Sequence, residues 1–208
     1  MRIANPHLLL RRLHSLFGLL PVGAFLVFHL WENSQSRFGA AHYNGEVVAV
    51  LQRLNYLPVL EIVVIALPLL FHAGYGLVIL SQMRAEPRRY RYLRNWLYVM
   101  QRVSGIGILL FLILHVGMTR IESIWRVTVR EDLFGHMQHL LTQPWIFTVY
   151  VVGLLLSVLH LANGMATLGI VWGLTTSAYA QRLFGSVCAL FGLLLVAIGI
   201  HGLLGFLS

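Results

Sequence analysis

The stretch RRLHSLFGLLPVGAFLVFHL (residues 11–30) decides the fold class of this chain. Two arginines open it, and from there to Leu30 the only hydrogen-bonding side chains are His14, Ser15 and His29. A helix crossing ~30 Å of hydrocarbon needs about 20 predominantly apolar residues. This run is therefore long enough to cross a bilayer. It is too long for the apolar core of a signal peptide and lacks a small-x-small cleavage site, so it reads as a retained helix.

Four further stretches qualify in the same way. The five predicted spans cover approximately residues 13–31, 57–80, 96–118, 144–174 and 183–207. The fourth is longer than a bilayer requires and should tilt or project from it. The whole chain of 208 residues is 58% hydrophobic and 11% charged, with a mean hydropathy of +0.78. Soluble domains carry about 25% charged residues, and that contrast excludes one. The fold class is an all-α integral membrane protein, a single domain over 1–208 built as a five-transmembrane-helix bundle. No repeat or low-complexity tract interrupts it.

Fifteen basic and seven acidic side chains give a net charge of +8, and every basic one is Arg. They sit between the apolar runs, a pattern set by membrane topology and not by a nucleic-acid face. With the N-terminus cytoplasmic, the inner segments hold Arg2, Arg11, Arg12, Arg84, Arg88, Arg89, Arg91, Arg94, Arg102 and Arg182, against Glu86 alone. The outer segments hold Arg37, Arg53, Arg120, Arg126 and Arg130 with all the other acids. That bias predicts an inner N-terminus and an outer C-terminus. Each outer connection carries a helix-like apolar pattern, Val47, Val48, Val50, Leu51 and Leu54 in one, Phe134, Met137, Leu140 and Leu141 in the other. Short helices lying on the membrane are expected there. The single cysteine, Cys188, lies in an apolar run, so there is no disulfide framework, no Cys-rich metal site and no CxxCH haem attachment.

Ten histidines are many for so apolar a chain. Ionisable groups at membrane depth are expensive and mark function by default. At about 1.5 Å per residue, His29 lies about 24 Å from the inner start of the first span and His115 about 27 Å along the third. His72 and His160 lie about 22 Å from the outer ends of the second and fourth spans, which run back inwards. Four consecutive helices thus each bring one histidine, paired by depth as His29 with His115 outside and His72 with His160 inside. Two imidazoles at one level can ligate a haem iron from both faces, and bundle cores are where such sites are built. Without CxxCH, two non-covalent b-type haems are expected. Gly76, Gly117, Gly153 and Gly164 lie near these histidines and offer room for a flat ring, though glycine also serves simple helix approach.

Together with LEIVVIALPLLFHAGYG (60–76), RNWLYVMQRVSGIGILLFLILH (94–115), LHLANG (159–164) and WG (172–173), the opening stretch resembles the di-haem cytochrome b membrane anchor of succinate:quinone oxidoreductases, the single large-anchor type. The resemblance runs nearly end to end. It implies that His72 and His160 hold the haem nearer the cytoplasm and His29 and His115 the outer one. It also implies partners, a flavoprotein subunit and an iron–sulfur subunit on the cytoplasmic side of a bacterial inner membrane. Electrons from succinate would pass through this chain to a membrane quinone, menaquinone ahead of ubiquinone, or in reverse for a fumarate reductase. The chain has no dinucleotide fingerprint or Cys cluster, so flavin and iron–sulfur centres belong to other polypeptides. The Arg84–Arg94 cluster offers them a docking face, although positive-inside topology and anionic-lipid contact account for the larger part of it.

Helical arithmetic places further groups. Gln101 and Ser104 lie near the face of His115 but on the inner side, within reach of the inner haem or its propionates. Arg12, His14, Ser15, Trp96 and Arg102 form an expected polar collar for those propionates, with interfacial snorkelling as the alternative for the two arginines. Glu61 is expected at the outer edge, close to the outer haem, where a carboxylate can carry protons for quinone; capping the second span is the alternative. His201 reads as a polar contact between helices. A di-haem subunit of another respiratory dehydrogenase shares this chemistry. A transporter would need broken helices and mid-membrane polar sites, and the sequence offers little of either.

Overall fold

The computed structural model describes residues 6–83 and 92–208. Every regular element among them is helical. Arg2 and the basic run Arg84, Arg88, Arg89 and Arg91, the core of the expected docking face, lie outside the described residues. Five helical stretches, Pro6–Gln52, Leu57–Ser81, Leu93–Trp125, Pro144–Val171 and Ala178–Gly205, are long and apolar enough to cross a membrane. The protein is a five-span, multi-pass membrane bundle.

The first span consists of α1 (Pro6–Leu19) and α2 (Pro21–Ser34). Proline has no N–H to donate, so the helical ladder is interrupted at Pro21 and the span is jointed there. In the second span, α3 (Leu67–Ser81) follows a wider π turn over Glu61–Ala66. Pro68 withholds a hydrogen bond from the turn before it, and the π turn takes up the mismatch. The third span is α4 (Leu93–Val116), continued through a π turn at Gly117–Ile121 to Trp125. A short helix, α5 (Leu133–Leu141), precedes α6 (Pro144–Val171) and α7 (Ala178–Gly205).

Several ends differ from the sequence expectation. Helices begin at 6, 93 and 178, not 13, 96 and 183, because backbone hydrogen bonding continues past the point where apolar side chains stop. The fourth span ends at Val171, not 174, because Gly173 takes a left-handed φ of 73° and turns the chain.

α1 packs on α3, α2 on α7, and α6 on both α4 and α7. The first four spans form the ring and α7 closes it from outside. One apolar core, Leu30, Leu154, Val158, Leu161 and Leu195, lies between α2, α6 and α7. A second caps the end away from the N-terminus, where Phe134, Met137, Leu140 and Leu141 of α5 meet Tyr43, Ile146, Tyr150 and Phe206. The apolar stripe of α5 therefore faces into the bundle instead of lying on lipid. In the other connection Val47 and Val48 join this core, while Val50 and Leu54 stay exposed. Asp132 caps α5 by accepting from the Gly135 N–H (2.8 Å) and also takes Asn44 Nδ2 at 2.8 Å. Asn44 Oδ1 in turn accepts from the Phe134 N–H at 3.1 Å, tying the two connections together. A cap of this kind is worth about 1 kcal/mol.

Candidate functional site

The bundle brings the four histidines together in the two pairs that depth predicts. The rings of His72 and His160 have centroids 6.0 Å apart and those of His29 and His115 5.7 Å apart. An imidazole nitrogen sits about 2.0 Å from a bound metal and the ring centre about 1.1 Å further, so two imidazoles flanking one iron have centres about 6.2 Å apart. Both pairs lie close to that spacing. All four side chains are partly buried.

A metal-binding imidazole usually gives its second nitrogen to a protein partner, which fixes the tautomer and aims the ring. Three of the four do so through Nδ1, leaving Nε2 to bind. His72 Nδ1–H donates to the backbone carbonyl of His14 at 2.8 Å. His160 Nδ1 lies 3.1 Å from the Ser104 hydroxyl, and Ser104 is fully buried. His115 Nδ1 lies 3.3 Å from the Tyr150 hydroxyl. His29 is held differently. Asn33, one turn on, donates to its backbone carbonyl at 2.7 Å and lies within 3.4 Å of both ring nitrogens, while Tyr43 OH donates to Asn33 Oδ1 at 3.1 Å.

Glycine packs against two of the rings. A Cβ at Gly18 would run into the imidazole of His72, and one at Gly105 would stand 3.2 Å from Cε1 of His160. These are different glycines from those singled out by sequence. Gly76 faces His14, Gly153 is filled by the Phe111 ring, Gly164 faces Gln101 Nε2, and Gly117 opens onto nothing within 4 Å.

The residues expected around the pair nearer the N-terminus largely gather there. Gln101 Nε2 donates to the His160 carbonyl (3.1 Å), and Asn163 Nδ2 donates to Gln101 Oε1 (2.6 Å) and to the Leu97 carbonyl (3.0 Å). The His14 ring stacks on His72 at 4.1 Å. Ser15 donates to the Arg12 carbonyl and accepts from Trp172 Nε1, whose ring also meets the Arg12 guanidinium. Arg102 lies over the Tyr98 ring and donates to the Tyr98 carbonyl at 2.8 Å. His14 Nδ1 and Arg102 Nε are buried with no hydrogen-bond partner. Donors left over in this way suit the carboxylates of a porphyrin. Trp96 is exposed and joins none of these contacts among the described residues.

At the opposite end Glu61 is already engaged. Arg120 donates to both its carboxylate oxygens, Nε at 2.9 Å and Nη2 at 2.7 Å, joining the π turn of the second span to that of the third. His201 is exposed on α7, where a contact between helices was expected. His136 Nε2 donates to the Met118 carbonyl at 2.8 Å.

Among the described residues no three His, Cys, Asp or Glu side chains converge as a metal site. Pairs are what an iron already held by four porphyrin nitrogens requires, so the residues present fit haem.

Sequence reasoning did not find Asn33, Tyr43, Tyr150, Asn163, Gly18 or Gly105. Asn33 at four residues from His29 and Asn163 at three from His160 carried a helical signal. Tyr150 and Tyr43 carried none, since their reach depends on how the far-end core packs.

No family model matches the chain. It is 36% identical over 202 residues to the succinate dehydrogenase cytochrome b558 subunit of Bacillus subtilis (strain 168), covering 97% of this chain and 98% of that protein. With five spans, two opposed histidine pairs and that identity over nearly the full length of both, this chain belongs to the family of succinate dehydrogenase cytochrome b subunits.

Proposed function

We propose that this chain is the di-haem membrane anchor of a succinate:quinone oxidoreductase in a bacterial cytoplasmic membrane. The N-terminal end of the bundle faces the cytoplasm, where the flavoprotein and iron–sulfur subunits dock. His72 and His160 hold the haem on that side, and His29 and His115 hold the other. The observation that carries this reading is the pairing itself: two imidazole pairs near the spacing for one iron, with Nδ1 of three rings engaged by protein groups. When bound, each haem supplies a one-electron centre.

The remaining roles belong to the protein. Ser104, Gln101 and the His14 carbonyl orient the ligands of the cytoplasmic pair, while His14 Nδ1 and Arg102 Nε offer donors to propionates. Asn33 and Tyr150 orient the far pair, beside which a membrane quinone takes up electrons. Menaquinone is the expected acceptor, and the reverse flow from quinol to fumarate uses the same residues.

Haem content of the purified complex, with optical and paramagnetic-resonance spectra, tests this. Two low-spin haems are expected in the parent protein. His72→Ala and His160→Ala should each remove the same haem, and His29→Ala and His115→Ala the other. A parent complex without low-spin haem overturns the reading.

A further inference from the structure

We propose that His14 and Gln101 are matched positioning residues, each holding one ligand of the cytoplasmic pair from the helix opposite; this rests on the function proposed above. A polar side chain followed four residues later by glycine recurs on each of the first four spans: His14 with Gly18, His72 with Gly76, Gln101 with Gly105 and His160 with Gly164. Residues four apart on a helix lie on one face, one turn from each other. Where α1 packs on α3, two of these motifs interlock. The His72 ring fills the space over Gly18, and His14 Cε1 lies 3.3 Å from the place of a Cβ on Gly76. Where α4 packs on α6, the same exchange occurs. His160 Cε1 lies 3.2 Å from the place of a Cβ on Gly105, and Gln101 Nε2 lies 3.4 Å from that on Gly164.

The backbone completes the match. The carbonyl of His14 accepts directly from His72 Nδ1–H at 2.8 Å. The carbonyl of Gln101 accepts from the Ser104 hydroxyl at 3.2 Å, and that hydroxyl lies 3.1 Å from His160 Nδ1. Each ligand thus rests on a glycine and is aimed from the residue four positions before that glycine. Its own helix offers a second glycine, over which the aiming residue fits. The His14 ring keeps its place by stacking on His72 at 4.1 Å. Gln101 keeps its place by donating to the His160 carbonyl at 3.1 Å and accepting from Asn163 at 2.6 Å.

Glycine at such a spacing can serve helix approach alone. The far pair is built without it. Four residues beyond His29 and His115 stand Asn33 and Thr119, which donate to the carbonyls of those histidines on their own helices at 2.7 and 2.6 Å. The cytoplasmic pair is therefore held across helices by a repeated clasp.

What the clasp controls is orientation. An imidazole tied through Nδ1 presents Nε2 in a set direction. The ring planes of His72 and His160 stand 87° apart, and each ring is held by a group on the neighbouring helix. An imidazole and a carboxamide are both flat, and both carry an N–H donor. Glutamine at position 14 can therefore do what glutamine at 101 already does. Leucine fills the space without the flat contact or the donor.

The test uses the whole purified complex of the parent, His14→Leu, His14→Gln and Gln101→Leu. Low-spin paramagnetic-resonance spectra, which follow the angle between the two ligand planes, are read together with haem transfer to excess apomyoglobin. His14→Leu and Gln101→Leu are each expected to shift the signal of the His72–His160 haem. Each should also weaken its retention by about 10–100-fold, the range for removing an outer partner of a metal-binding imidazole. The His29–His115 haem should stay as in the parent, since only general loosening of the bundle would affect both. His14→Gln should restore signal and retention. Parental signal and retention in either leucine variant overturns the proposal, as does equal loss of both haems or a His14→Gln complex that matches His14→Leu. If the leucine variants do not assemble, His14→Gln decides. A parental spectrum in it supports the role, and an altered or absent signal overturns it. A parent complex without low-spin haem overturns the underlying function, a different result from any of these.

Discussion

Replacing Gly18 by Ala puts one methyl group against the ring of His72. The added carbon would fall on Cε1 and Nδ1 of that imidazole, closer than non-bonded atoms approach. The ring cannot yield freely, since His14 stacks on it at 4.1 Å and its Nδ1–H is tied to the His14 carbonyl at 2.8 Å. Restoring ordinary contact needs a displacement of about 1 Å, half the length of an imidazole–metal bond of about 2.0 Å. Overpacking of this kind costs about 1–3 kcal/mol, and a broken Nδ1 hydrogen bond adds about 1 kcal/mol. Helix propensity works the other way, as Ala is favoured over Gly by about 1 kcal/mol in a helix interior. A loss of haem therefore cannot come from weakening α1. On the di-haem reading proposed above, the expected outcome is a folded complex in which the haem assigned to His72 and His160 is lost or has become high-spin, with the other intact. Haem content per protein and low-temperature optical spectra measure this. Gly117→Ala, where an added carbon meets nothing within 4 Å, is the control and should keep both haems. Parental spectra in Gly18→Ala would refute the argument that this glycine seats the ring.

Other perturbations address the far end. Tyr150→Phe removes the hydroxyl beside His115 Nδ1, making that imidazole a weaker donor to iron. A lost hydrogen bond of about 1 kcal/mol corresponds to a rise of about 40 mV in that haem's potential, since a tenfold change is about 59 mV for one electron; redox titration checks it, with the other haem as internal reference. The Glu61–Arg120 pair is partly exposed at 30% and 43%, so a double-mutant cycle of Glu61→Gln and Arg120→Gln in thermal unfolding should give a coupling of about 0.5–1 kcal/mol. A coupling near zero would mean that the two π turns are held together by packing alone.

The membrane architecture was legible because its cause is local: apolar length sets a span, and arginine placement sets the expected direction. The histidine pairing was legible too, because helical rise converts residue number into depth without knowledge of neighbours. Lateral contacts were not. Gly18 could be identified as the glycine under His72 only once α1 was seen packed on α3, and Tyr150 as the partner of His115 only once α6 was seen beside α4. Glu61 looked free because its counter-charge, Arg120, is 59 residues away in sequence.

The joint at Pro21 has a mechanical meaning. The half of the first span below it rests on α3 and supplies the carbonyl that aims His72; the half above it rests on α7 and carries His29. The two histidine levels thus hang from separate struts of one polypeptide segment. On the function proposed above, strain applied where partner subunits attach would be absorbed at this joint, leaving the His29–His115 level undisturbed.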